Sequence, residues 1–176
     1  MRYKIIYADP PWRYDDKNCN GAVGSHYKTM SLDQIKDLKV SEIADKDSVL
    51  FMWATYPMLQ EALETGRSWG FKYKTIAFQW VKLNKKNGKP FFGLGRWTRG
   101  NTECCLLFTK GKPKRLSNSV SQLIQTPIEG HSVKPMEARE KIVQLMGGGD
   151  RIELFARQKV EGWHAWGNEV ESDIKL

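Results

Sequence analysis

The chain has 176 residues, 40% of them apolar, and a net charge of +8. That length accommodates one domain, residues 1–176, with a single core. No apolar run is long enough to span a membrane and the chain opens directly on a strand without a signal peptide, so a cytoplasmic protein with no membrane partner is expected. The positive balance favours a polyanionic partner, or serves solubility alone. Cys19, Cys104 and Cys105 form no CxxC pair and have no spaced histidine partner, which disfavours a disulfide framework and a zinc site.

Tyr3 to Ala8 reads as a buried strand, followed by Asp9-Pro10-Pro11-Trp12. Asp9 then lies just past a strand end, where ligands bind in open α/β sheets. The prolines fix φ and leave their carbonyls free to accept hydrogen bonds. Asp9 adds a carboxylate and Trp12 a flat surface, a set that suits a planar group bearing an NH2. Arg13 to Met30, polar and without apolar periodicity, reads as a loop beside the site. Ser31 caps a short helix with Leu32, Ile35 and Leu38 on its apolar face. Ser48–Ala54 is a second strand, Pro57–Trp69 a helix closed by Gly70, and Thr75–Val81 a third strand.

Lys82–Thr102 is a long loop in which basic residues alternate with glycines and aromatics, a mixture suited to phosphate contacts and base stacking. The competing reading is a solvated loop with Trp97 tucked into the body. Glu103–Thr109 is a fourth strand, followed by a basic turn, Lys110–Arg115, which either meets phosphate or is merely solvated. Leu123–Gln125 is a short strand. His131–Pro135 (HSVKP) leads into a helix with Pro135 in its first turn and Ala138, Ile142, Val143 and Leu145 inward. Gly147–Gly149 stops that helix, Ile152–Ala156 is a fifth strand, Trp163–Trp166 is a last one, and the final residues fray. Strands alternating with helices give an α/β fold with a mostly parallel sheet.

There is no Walker A sequence and no GxGxxG after the first strand, which disfavours a dinucleotide or ATP enzyme. Lys134, Glu153, Arg157 and Asn168 group around one strand end instead. Glu153 and Asn168 suit ribose hydroxyls, and Lys134 and Arg157 suit a carboxylate. S-adenosylmethionine carries both groups and no phosphate.

With these residues in view, the chain resembles the DPPW-type amino-methyltransferases, which include messenger-RNA adenosine-N6 methyltransferases and bacterial and phage DNA adenine methyltransferases. The resemblance runs through ADPPW (Ala8–Trp12), YKTMSLDQI (Tyr27–Ile35), LFMWAT (Leu50–Thr55), WVK (Trp80–Lys82), Gly95–Gly111, HSVKP, IELFAR and WGNE. It implies a circularly permuted, Rossmann-like methyltransferase fold with helices on both faces of the sheet. It also implies methyl transfer from S-adenosylmethionine to adenine N6, with DNA favoured over RNA. Asp9, Pro10, Pro11 and Trp12 would be catalytic. Ala8, Asp9, Lys134, Glu153, Phe155, Arg157, Asn168 and Glu169 would bind the cofactor, with Lys159 a further candidate in the shortened loop after Arg157. Tyr14, Lys28, Arg96, Trp97, Arg99, Lys112 and Lys114 would contact nucleic acid, and no metal is implied. Larger relatives carry an upstream segment that holds the cofactor adenine, and this chain starts at the catalytic strand. A homodimer, or a heterodimer with a related subunit, is expected. The alternatives are an RNA adenosine-N6 methyltransferase and a catalytically silent nucleic-acid-binding subunit. A cysteine or metal hydrolase lacks both a nucleophile–base pair and ligand spacing.

Overall fold

The computed structural model describes residues 1–12, 30–93, 95, 97–130 and 133–176. The expected loop Arg13–Met30 lies outside these residues, apart from Met30.

The strands are β1 (Tyr3–Ala8), β2 (Ala44–Ala54), β3 (Lys72–Leu83), β4 (Thr102–Lys110), β5 (Leu123–Pro127), β6 (Arg151–Leu154) and β7 (His164–Trp166). The helices are α1 (Leu32–Lys36), α2 (Val40–Ile43), α3 (Leu59–Ser68) and α4 (Met136–Met146), with a 3-10 turn at Tyr56–Met58 before α3. One seven-stranded sheet runs β5-β3-β4-β2-β1-β6-β7. The β1–β2, β1–β6, β3–β5 and β6–β7 pairings are parallel, while β4 is antiparallel to both β2 and β3. The sheet is therefore mostly parallel, as the alternation of elements implies, with one reversed strand inside it.

Side chains alternate across the strands. Ile6 and Ala8 of β1 join Leu50, Met52, Leu106 and Phe108 under Ile35, Val40 and Ala62 of α1, α2 and α3. Ile5 and Tyr7 join Val49, Phe51, Trp53 and Cys105 under Ala138 and Ile142 of α4. Helices thus cover both faces. A register shift between Tyr3 and Ile5 puts Tyr3 on the same side as Ile6.

Local chemistry explains the ends. Ser31 and Gln34 form a reciprocal capping box at α1. Gly70, at φ +83°, turns the chain out of α3. Pro135 is the extended cap of α4, one residue earlier than the expected first-turn position. β6 stops at Leu154, before the expected Ala156, because Phe155 adopts φ +61°. The C-terminus does not fray as expected. Ile174 and Leu176 pack on the first core, and Asp173 N–H donates to Ala165 O at 2.8 Å.

Gly66 faces Phe108 so closely that a Cβ would lie 2.3 Å from the ring. Gly66→Ala gains about 1 kcal/mol of helix propensity but overpacks the core by about 1–3 kcal/mol. A net loss of stability is expected, read as a lower urea midpoint with an unchanged slope.

Candidate active site

β1 lies between β2 and β6, so Asp9 emerges at the carboxyl ends of three parallel strands. The Asp9 N–H reaches Leu154 O at 3.5 Å. The next residues depart from the sequence reading in two ways. Pro10 O is not free, since Trp12 N–H donates to it at 2.8 Å. Trp12 is not an exposed plane either. It is buried in the first core and its Nε1 donates to Trp53 O at 3.1 Å. The indole anchors the turn, and the half-buried Pro11 is left at the surface.

Opposite Asp9, Lys134 descends from the start of α4. Its Nζ lies 3.1 Å from Asp9 Oδ1 and 3.1 Å from Glu103 Oε2. Glu103 Oε1 in turn accepts from Lys82 Nζ. Four charges thus alternate, Asp9–Lys134–Glu103–Lys82, with side-chain exposures of 22%, 10%, 12% and 22%. The ammonium of Lys134 also lies over the Trp53 ring, 5.7 Å from its centroid.

Pairing sets the protonation states. Burial opposes the charge on Lys134, but Asp9 and Glu103 more than offset it and hold the ammonium well above the ordinary lysine range. Burial likewise opposes ionisation of Glu103, yet Lys134 and Lys82 win and its carboxyl titrates below the ordinary value. Asp9 goes the other way. Burial pushes its carboxyl up, Lys134 pulls it back, and Glu103 adds to the rise.

Glu103 was given no role by the sequence reading, and Lys82 only a place at the start of the basic loop. The signal was there, since Glu103 is a lone charge opening the apolar run CCLLF. Only the antiparallel pairing of β4, which sets Cys104 opposite Ala54, brings that end of the strand to the Asp9 edge.

The cofactor candidates separate. Ala8 is buried at the end of β1. Phe155 stacks on Trp69 at 6.5 Å and meets Trp166 edge-on at 5.3 Å. β6 and β7 close tightly beyond their ends, with Ala156 N–H donating to Trp166 O at 2.9 Å. A Cβ on Gly167 would lie 2.3 Å from Ala156 O, which is why glycine stands there. This closure sets Arg157 beside Glu169, Nε to Oε1 3.2 Å, with Asn168 exposed between the strand ends. Two candidates sit elsewhere. Glu153 is buried, and its oxygens take Arg139 Nη2 at 2.6 Å and Nε at 2.8 Å, so its partner is a guanidinium of α4 and not a ribose. Lys159 pairs with Asp173 at 2.7 Å and helps hold the C-terminal segment.

Among the nucleic-acid candidates, Tyr14, Lys28 and Arg96 lie outside the described residues. Trp97 is fully exposed on the β3–β4 connection and not tucked into the body. Arg99 lies over the exposed Phe92 ring at 5.7 Å. That connection leaves from the active-site edge, where Lys82 N–H donates to Asn101 O at 2.9 Å. Lys112 and Lys114 are at the opposite edge, because Lys110 pairs with Ser48 at the far end of β2. Ala54 to Ser48 spans six residues of strand, about 20 Å, so these lysines cannot share a phosphate with the Asp9 edge.

Among the described residues no cluster of His, Cys, Asp and Glu could hold a metal ion, and no helix is long and apolar enough to cross a membrane.

Two outcomes follow from these ion pairs. Arg139→Met leaves Glu153 charged and buried, so a loss of about 3–5 kcal/mol is expected in denaturant unfolding, largely recovered in Arg139→Met/Glu153→Leu. If ionised Asp9 is required for turnover, activity holds above its pKa and falls as pH drops through it. Glu103→Gln removes a charge that raises this pKa, so the acid limb of kcat/KM against pH should move to lower pH.

The MT-A70 family model matches residues 3–169. The type II methyltransferase M.MunI of Mycoplasma sp is 35% identical, over 96% of this chain and 78% of its own length. An N(6)-adenosine-methyltransferase MT-A70-like protein of Arabidopsis thaliana is 27% identical, over 96% of this chain but 24% of its own length. The N6-adenosine-methyltransferase non-catalytic subunit MTB of the same plant is 30% identical over 65% of this chain and 15% of its own length. With the DPPW turn, the seven-stranded sheet and a match along nearly its whole length, the chain belongs to the MT-A70 methyltransferase family.

Proposed function

We propose that this chain transfers a methyl group from S-adenosylmethionine to the exocyclic N6 amine of adenine in DNA. The observation that carries the reading is Asp9, a carboxylate at a central strand end, held against a buried ammonium that keeps it oriented. The adenine amine is a poor nucleophile because its lone pair is delocalised into the ring. A carboxylate accepting one of its hydrogens favours a pyramidal nitrogen and stabilises the positive charge that develops there. The raised pKa of Asp9 makes it a stronger acceptor than an ordinary aspartate. Pro10 O, with one lone pair engaged by Trp12 N–H, keeps a second for the other hydrogen. Pro11 is the proline left at the surface to meet the base.

The donor set fits S-adenosylmethionine. Lys134 has three donors and two anionic partners, which leaves one donor for the cofactor carboxylate. Arg157 and Glu169 offer charges of both signs, and the exposed Asn168 amide suits ribose hydroxyls. When bound, the cofactor supplies an activated methyl group, so neither a metal nor a covalent nucleophile is needed. The exposed Trp97 and Arg99 supply a ring and a charge for the substrate strand, and a target within a duplex must be flipped out.

DNA is favoured over RNA because the chain spans 78% of a type II methyltransferase and only 24% of the N(6)-adenosine enzyme. The likeness to a non-catalytic subunit supports work as a dimer, with itself or a related chain. A cytoplasmic setting agrees with Cys104 and Cys105 being free thiols.

The test is transfer of labelled methyl groups to duplex DNA, single-stranded DNA and RNA. Label on DNA is expected, and Asp9→Ala should lower the rate by about 100- to 1,000-fold while cofactor binding persists. Label on RNA alone overturns the substrate. Cofactor binding without transfer to any strand favours the silent-subunit reading.

A further inference from the structure

Tyr56 opens the 3-10 turn after β2, at the same sheet edge as Asp9, and nothing so far gives it a role. Its hydroxyl is held from two sides. Gln79 Nε2 donates to it at 2.6 Å from β3, and Thr102 Oγ1 of β4 lies 2.8 Å away. The same Gln79 amide also donates to Glu103 O at 3.2 Å, which ties this cluster to the residue that carries Lys134. A phenol has one hydrogen to give and limited acceptor capacity. With its hydroxyl committed inside the protein, Tyr56 offers a ligand mainly its ring.

Tyr56 is 50% exposed. A tyrosine serving only to pin β2 to β3 and β4 would be stabilised further by burying the ring against them. Here the hydroxyl restrains the ring while half of the residue stays in water, so less conformational freedom is left to lose when a flat partner arrives. Trp53, whose ring lies under the Lys134 ammonium, is three residues earlier. Tyr56 is therefore at most about 11 Å of chain from Trp53, with the charged centre one side chain beyond it. Stacked nucleotides advance about 3.4 Å each, so the chain segment alone corresponds to about three nucleotides and the side chains extend that reach. Lys85, Lys86 and Lys89, exposed on the β3–β4 connection at this edge, supply charge for the strand that would cross it.

We propose that Tyr56 is a stacking platform for a base flanking the target adenine, within a few nucleotides of it. Its work is to position the substrate strand, and it belongs in KM for DNA and not in the chemical step. This rests on the reading of DNA as substrate.

The test pairs variants with abasic substrates. An oligonucleotide series carries one abasic site at each of the positions around the target adenine. With the unaltered protein, one flanking position should raise KM about tenfold when its base is missing, with kcat little changed. Tyr56→Leu should raise KM about tenfold on intact DNA and be indifferent to that abasic site. Tyr56→Phe, which keeps the ring but loses both hydroxyl contacts, should stay within a few-fold of the unaltered protein. A role in pinning strands predicts that Phe and Leu are equally impaired, and that result overturns the proposal. So does an abasic series with no position whose effect vanishes in Tyr56→Leu. The abasic series on the unaltered protein tests stacking even if Tyr56→Leu folds poorly. Should the unaltered protein methylate no DNA at all, the substrate reading fails and this proposal fails with it. Transfer to DNA without any flanking effect removes Tyr56 alone.

Discussion

Asp9, Lys134, Glu103 and Lys82 form an alternating line of charge at one end of the sheet, and much of that end depends on keeping it paired. A charge taken out of water costs several kcal/mol even after relaxation, so none of these side chains is tolerable there alone. They come from the end of β1, the lead into α4, the start of β4 and the end of β3. The line closes only when β3, β4, β2 and β1 lie in that order. The geometry of this charged line and the assembly of the sheet are therefore one requirement. Trp53, in the middle of this edge, serves both. Its ring lies under Lys134, its Nε1 donates to Tyr7 Oη at 2.6 Å, and its carbonyl takes the Trp12 indole.

Most elements were legible from apolar periodicity and end signals. The Ser31 cap, the Gly70 stop and the α/β alternation all follow from short-range chemistry that the sequence displays directly. Asp9 was legible for the same reason, since a carboxylate and two prolines after a buried strand restrict what that strand end can do. What the sequence could not display was direction. Nothing in TECCLLFTK distinguishes a parallel strand from an antiparallel one, and the reversal of β4 decides two site questions together. It brings Glu103 to the catalytic edge and takes Lys112 and Lys114 to the other. Partner choice was equally hidden. Glu153 and Arg139 are fourteen residues apart, and only the packing of α4 on β6 shows that each satisfies the other. Trp12 looked like a stacking surface because aromatic character is visible in a sequence and a backbone acceptor at Trp53 is not.

The two edges of the sheet consequently differ in kind. At the Asp9 edge a half-buried line of paired charge lies beside exposed rings, Tyr56, Phe92 and Trp97, and exposed cations, Lys85, Lys86, Lys89 and Arg99. At the opposite edge, Lys112, Lys114 and Arg115 are exposed, and Lys112 N–H donates to Asp47 Oδ1 at 2.7 Å. Long-range attraction of a polyanion needs only net positive charge and does not distinguish the edges. Holding a flat group in one orientation needs short-range contacts instead. Rings able to make such contacts are found at the Asp9 edge.

The order of the strands explains why the site sits where it does. From β1 the chain moves outward through β2 and on to β3, β4 and β5 on one side, then returns through α4 to β6 on the other side of β1. The direction of winding therefore changes between β1 and β6, and the connections leaving their carboxyl ends diverge. Such a switch point opens a crevice without any residue having to be removed from a packed core. Asp9 lies on one lip and Phe155, Arg157 and the β7 closure lie on the other. This crevice depends on spatial order and not on sequence order. The left-handed Phe155 is what turns the β6 lip. Its φ of +61° swings the chain out of the strand one residue past Leu154, which lets Ala156 pair with Trp166 and places Arg157 against Glu169. A non-glycine residue in that conformation costs about 1–3 kcal/mol. Here the ring of the same residue, packed between Trp69 and Trp166, provides the contacts that hold it there.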